Sequence, residues 1–191
     1  MADSFDYVII GAGSAGCILA NRLTADGKHT VCLLEAGPPD WNPYIHIPAG
    51  FIKTLTNPNI NWLYQSEPSH WTGGRSIDVP RGKTLGGSSS INGHIYNRGQ
   101  RMDFDSWSQR GNRNWGYSDV LPYFQRCEQR IGDADDLYRG REGNLKVTDL
   151  NYSHPLCEKF IEGAQQIGLP RNPDYNGKQQ EGISYVQRTV H

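Results

Sequence analysis

Asp6-Tyr7-Val8-Ile9-Ile10-Gly11-Ala12-Gly13-Ser14-Ala15-Gly16 is the stretch on which the fold turns. A short apolar run ends at a glycine, the pattern of a strand in a buried parallel position. From residue 14 to about residue 26 the spacing changes. Ala15, Ile18, Leu19, Arg22 and Leu23 fall on one face of a helix, and Gly27 stands where that helix would stop. Residues 30–35 form a second apolar strand. Strand, glycine turn, helix and strand within roughly 30 residues make a βαβ unit, whose strands must run parallel.

Each glycine of the turn has its own task. Gly11 permits the sharp exit from the strand, Gly13 lets backbone approach a pyrophosphate, and Gly16 lets the helix close on the strand. The anion would rest on the first helical turn, opened by Ser14 and Ala15, where free N–H groups and the helix dipole favour negative charge. Glu35 closes the second strand at the spacing of an acid that bonds ribose hydroxyls. An acid there argues against a 2′-phosphate and so against NADP. Cys17-Ile18 after Gly16 excludes a Walker loop. The turn alone leaves FAD and NAD both open.

Working outward, Gly37-Pro38-Pro39-Asp40 opens a long segment rich in Pro, Asn, Trp and Tyr without periodicity. Thr72-Gly73-Gly74-Arg75 predicts a two-residue hairpin turn. Helices are expected over residues 117–128 and 155–167. The second places Leu156, Phe160, Ala164 and Ile167 on one side, with Pro155 in its first turn. Residues 183–190 predict a strand.

A second glycine cluster is more specific: Pro80-Arg81-Gly82-Lys83-Thr84-Leu85-Gly86-Gly87-Ser88-Ser89-Ser90-Ile91-Asn92-Gly93. Its backbone N–H groups and hydroxyls suit a polar cofactor. This segment resembles the glucose–methanol–choline family of FAD oxidoreductases, nearest to its choline dehydrogenase-like and bacterial alcohol dehydrogenase-like branches. The resemblance continues through His94-Ile95-Tyr96-Asn97-Arg98-Gly99, Asp103-Phe104-Asp105-Ser106-Trp107, Asn114-Trp115-Gly116-Tyr117 and Asp119-Val120-Leu121-Pro122-Tyr123-Phe124.

That resemblance implies FAD as cofactor and hydride transfer from an alcohol. It sets Thr84, Asn92, Gly93, His94 and Ile95 against the cofactor, with Gly86, Gly87 and Ser88 in the same loop. It also implies a division into an FAD-binding portion over residues 1–150 and the start of a substrate domain over 151–191. The fold class is thus α/β: a Rossmann-like βαβ unit with a long cofactor-wrapping extension and part of an α+β substrate domain, incomplete. Some relatives attach FAD through a histidine just before the motif's asparagine. Ile91 fills that slot, so non-covalent FAD is expected. His94 either faces the flavin or satisfies a hydrogen bond in the core, and the second is the expected role.

Family members are more than twice as long, and their catalytic histidine lies near the C-terminus. None of His29, His46, His70, His94, His154 and His191 lies in that motif, so no catalytic residue is expected in this chain. The partners implied are a small alcohol in the complete enzyme and, for a split enzyme, a complementary C-terminal fragment. A complete NAD-dependent dehydrogenase and a non-catalytic flavin-binding module are the alternatives.

Other classes find little support. A net charge of −1 with no clustered Lys/Arg gives nucleic acid no electrostatic footing. No metal-ligand spacing such as HExxH occurs, and no metal is expected. Gly87-Ser88-Ser89-Ser90-Ile91 fails the nucleophile-elbow pattern at its last position. The acidic start Met1-Ala2-Asp3-Ser4-Phe5-Asp6 is unlike a signal peptide, and no apolar run spans a bilayer. Cys17, Cys32, Cys127 and Cys157 form no CxxC and read as reduced, partly buried thiols. The expected location is the cytoplasm, with peripheral membrane association left open.

Overall fold

The computed structural model describes residues 4–190. Met1, Ala2, Asp3 and His191, which entered the reading above, lie outside the described residues. The chain divides after Gly93 into two compact units, whereas the functional boundary expected after residue 150 falls inside the second.

The first unit opens with β1 (Tyr7–Ile10), α1 (Ser14–Thr24) and β2 (Val31–Leu34). β1 and β2 pair in parallel from Tyr7↔Val31 to Ile10↔Leu34, and Gly11 N–H extends the ladder to Leu34 O at 2.7 Å. At the other end Asp6 Oδ2 accepts from Thr30 N at 2.7 Å and from Thr30 Oγ1 at 2.9 Å. These bonds, the backbone one foremost, hold the Asp6 carboxyl below the ordinary carboxylate value. Gly27 takes φ +69° just beyond α1, a conformation that glycine adopts without strain.

The expected burial of the first strand is not found. Ile10 is 88% exposed and Val8 60%, and on α1 Ile18 and Leu19 are about half exposed. The physical reason is the width of the sheet: two strands and one helix do not cover both faces of a parallel pair.

Short helices α2 (Pro43–His46) and α3 (Phe51–Thr54) follow, then the antiparallel pair β3 (Tyr64–Gln65) and β4 (Asp78–Val79). The two-residue hairpin expected at residues 72–75 is absent, because β3 ends at Gln65 and β4 begins only at Asp78, too far apart for a two-residue turn. Gly73 and Gly74 do take positive φ, but they follow a 3-10 turn, His70–Thr72, started by Ser69. Ser69 and Thr72 exchange a reciprocal capping box, and Gly74 N–H returns to Ser69 O at 2.9 Å. The local cap decides the turn. Elsewhere in this unit buried Asn61 ties three strands of loop: its Nδ2 donates to Leu55 O, and its Oδ1 accepts from Leu63 N and Arg81 N.

The second unit contains α4 (Arg101–Gln109), α5 (Tyr117–Cys127), the parallel pair β5 (Glu128–Arg130) and β6 (Leu145–Val147), and α6 (Pro155–Gln166). Phe104 of α4 anchors an aromatic cluster with Trp107, Tyr117 and Phe124. α6 lies where expected, but its buried residues are Ile161 and Ala164. Leu156, Phe160 and Ile167 are 73%, 71% and 82% exposed, so most of the expected stripe faces outward. Residues 183–190 form no strand: Ile183 and Arg188 make isolated bridges to Arg171, Ile95 and Thr148. Three different partner segments prevent one continuous ladder.

Polar side chains occupy the centre of this unit. Glu128, fully buried, accepts from Arg98 and Arg139, whose side chains are 3% and 0% exposed. Arg139 also donates to Asp174 and to Gln187 Oε1. Burial pulls the Arg139 guanidinium down, but its bonds and charge attraction to Glu128 and Asp174 outweigh this and raise it. Two cations and two carboxylates therefore neutralise one another.

Candidate functional site

The two glycine clusters meet in the first unit. Ala12, fully buried, accepts at its carbonyl from Gly86 N–H at 2.8 Å, and Gly13 and Gly86 form a parallel bridge. Gly87 packs so closely on Gly13 that a methyl on it would lie 2.8 Å from Gly13 Cα. Gly86 and Gly87 take φ +85° and +58° and lead into a 3-10 turn, Gly87–Ser90. A side chain at Gly87 would have to move the Gly13 backbone, and one at Gly86 would be strained at its positive φ and meet the Ser90 hydroxyl.

A third segment joins them. Glu35 Oε2 accepts from Ala12 N at 2.8 Å, and Oε1 accepts from Gly37 N at 2.9 Å. Pro38 O then accepts from Thr84 Oγ1 at 2.9 Å and Leu85 N at 3.3 Å. A methyl at Gly37 would overlap Lys83 O, and one at Gly82 would overlap Gly87 O. Residues 11–16, 35–38 and 82–88 are thus knitted into one patch by hydrogen bonds and close backbone contacts.

Within the first glycine turn the three positions differ. Gly11 takes φ +97°. A methyl at Gly16 would overlap Gly11 O. Gly13 has an ordinary φ of −80°, and its methyl would meet nothing nearer than Gly87 Cα at 3.9 Å. Turn geometry therefore accounts for Gly11 and packing for Gly16. No steric contact within the chain accounts for Gly13. It caps α1, whose N-terminus receives no side-chain hydrogen bond.

Some expectations for the second cluster need correction. The serine hydroxyls are used inside their own turn: Ser90 Oγ donates to Leu85 O at 2.7 Å, Ser89 Oγ to Gly86 O, and Ser88 Oγ accepts from Gly82 N. Ile91 is buried, whereas Asn92 and Gly93 are exposed in the same unit. His94 and Ile95 open the second unit. There His94 takes φ +62°, and its carbonyl accepts from Thr189 N at 2.9 Å. Burial, helped by the Arg188 charge, lowers the His94 imidazole pKa.

Sequence reasoning missed the roles of Gly37 and Asn61 and the second use of Glu35. Only Gly37 left a signal, as the glycine two residues after the acid. The cysteines are free; Cys17, Cys127 and Cys157 are exposed rather than partly buried, because the surfaces around them are uncovered. Among the described residues no group of three or more His, Cys, Asp or Glu could hold a metal ion, and no helix is long and apolar enough to cross a membrane.

Comparison with known proteins adds to this geometry. The family model described as GMC oxidoreductase matches residues 5–191. An alcohol dehydrogenase [acceptor] of Pseudomonas putida is 44% identical over 97% of this chain, and an oxygen-dependent choline dehydrogenase of Brucella ovis is 46% identical over 97%. The chain spans 34% of the length of each, about a third. Among solved structures, pyridoxine 4-oxidase from Mesorbium loti superposes with a TM-score of 0.91 at 34% identity, covering 98% of this chain and 37% of that one. An FAD-dependent oxidoreductase from Chaetomium thermophilum gives 0.80 at 29%, covering 98% and 34%.

Proposed function

This chain belongs to the GMC oxidoreductase family, and we propose that it holds FAD for an enzyme that oxidises the CH–OH group of an alcohol. The observation that carries this reading is the room beside Gly13. A glycine with ordinary φ and free space, at an uncapped helix start, leaves a cradle that a Cβ would fill. A diphosphate fits such a cradle: it accepts from first-turn amides, and its charge is stabilised by the helix dipole. Ser14, Ala15 and Gly16 supply those amides. Glu35 keeps a lone pair on each carboxylate oxygen for the ribose hydroxyls. Thr84, Gly86, Gly87, Ser88, Asn92 and Gly93 would continue the cradle toward the flavin, followed in sequence by His94 and Ile95.

When bound, FAD supplies the acceptor for the hydride. The chain's own contribution is binding and orientation, by backbone fixed before the cofactor arrives. The base that takes the alcohol's proton is proposed to lie outside residues 1–191. The flavin is proposed to be non-covalent, since the buried side chain at Ile91 is a hydrocarbon with no nucleophile.

Acid precipitation of the purified, flavin-loaded chain tests this reading. FAD should appear in the supernatant at close to one equivalent, leaving a colourless pellet. A chain that takes up no FAD on reconstitution would overturn the reading, and a yellow pellet would overturn the non-covalent part alone.

A further inference from the structure

We propose that Glu35 is a positioning residue for the pyrophosphate turn, and that it contributes to nucleotide affinity through Ala12 whether or not a ribose is present. The inference rests on the dinucleotide reading above. An acid at the end of β2 is expected to serve the sugar. Here its carboxylate is already engaged in the fold, with one oxygen on Ala12 N–H and the other on Gly37 N–H.

Ala12 is the middle residue of the turn between Gly11 and Gly13. Its N–H is held by Glu35 and its carbonyl by Gly86 N–H, so both of its hydrogen-bonding groups are fixed from outside the turn. Gly37 N–H is the opposite arm of the clamp. It secures the 35–38 segment, on which Thr84 and Leu85 hang through Pro38 O. Removing the carboxylate leaves a fully buried residue with an unpaired N–H and frees Gly11, a glycine at φ +97° with open space around it, to sample other conformations.

A glutamine cannot substitute. It has one acceptor oxygen for two N–H donors, and its amide NH2 would face the second donor. Electrostatics gives the opposite expectation. A carboxylate near a diphosphate repels it, so neutralising Glu35 should tighten binding of any nucleotide unless the loop depends on it. The two roles therefore predict opposite signs for a ligand without ribose hydroxyls.

The test is calorimetric binding of ADP and 2′,3′-dideoxy-ADP to the flavin-free chain, wild type and Glu35→Gln. The expected result is that Glu35→Gln weakens both nucleotides by roughly tenfold to a hundredfold, the size of one or two lost charge-assisted bonds. Weakening of ADP alone, or unchanged or tighter binding of the dideoxy nucleotide, would overturn the proposal and leave Glu35 a ribose ligand only. Amide hydrogen exchange provides a second reading that needs no ligand. The Ala12 and Gly37 amides should be protected in the wild type and lose that protection in Glu35→Gln; fast exchange of both in the wild type would overturn the clamp. Should Glu35→Gln fail to fold, Glu35→Asp, one methylene too short to span both donors, should weaken both nucleotides by a smaller factor. Dideoxy-ADP binding by Glu35→Asp at wild-type strength would equally overturn the proposal. Failure of wild-type ADP binding would instead count against the dinucleotide reading itself.

Discussion

In the first unit backbone meets backbone: Gly13 against Gly87, Gly37 against Lys83, Gly82 against Gly87. In the second, buried side-chain charges carry the polar centre, with Glu128 between Arg98 and Arg139 and Asp174 beyond. The difference is instructive because the two devices leave different surfaces. Buried ions spend most of their hydrogen-bonding capacity on one another. Close-packed glycines remove side chains and leave amides within reach, so the first unit is where an anion is expected to bind.

The comparison breaks most readily at Glu128. Glu128→Gln leaves two buried arginines with one carboxylate, and the second unit should lose about 3–5 kcal/mol, read by denaturant unfolding. A loss confined to a few tenths would show that the charges are not what holds that unit. In the first unit, Gly37→Ala forces a methyl onto Lys83 O and should cost about 1–3 kcal/mol, as overpacking does. A neutral Gly37→Ala would mean that the 35–38 and 82–88 segments are not bound together.

A smaller effect concerns pH. The His94 imidazole is lowered by burial and then by Arg188, so its neutral form is favoured in the fold. The stability it contributes is present above the ordinary imidazole value, about 6.5, and is lost as pH falls through the lowered folded value. His94→Asn, which tolerates positive φ, should flatten the fall in melting temperature between pH 7 and 5; an unchanged fall would place its cause elsewhere. Smallest of all is Trp71, 93% exposed on the capped 3-10 turn. Trp71→Ala should stay within about 0.5 kcal/mol of wild type by the same unfolding measurement.

What could be read from sequence was local. β1, α1 and β2 follow from apolar periodicity and from three glycines at fixed spacing, and all three appear at the expected positions. The meeting of the two glycine clusters could be anticipated only through the family resemblance, because Gly13 and Gly86 are far apart in the chain. The Arg98–Glu128–Arg139 centre had no local signal at all: its members are 30 and 11 residues apart and look like surface charges. α6 was placed correctly but faced wrongly. Periodicity identifies an apolar stripe without saying which surface covers it, and Leu156, Phe160 and Ile167 are uncovered. Glu35 was legible as an acid at the right place, but its bonds to Ala12 and Gly37 depend on loop geometry that spacing does not encode.

The central claim is that the room beside Gly13 serves a ligand and answers no steric demand within the chain. Gly13→Ala measures this directly when unfolding free energy and FAD affinity are determined on the same preparation. The account predicts an unfolding free energy of the flavin-free protein within about 1 kcal/mol of wild type, the cost of alanine for glycine at an N-cap, and a loss of FAD affinity of roughly a hundredfold or more. Unchanged FAD affinity in a variant that folds normally would contradict it.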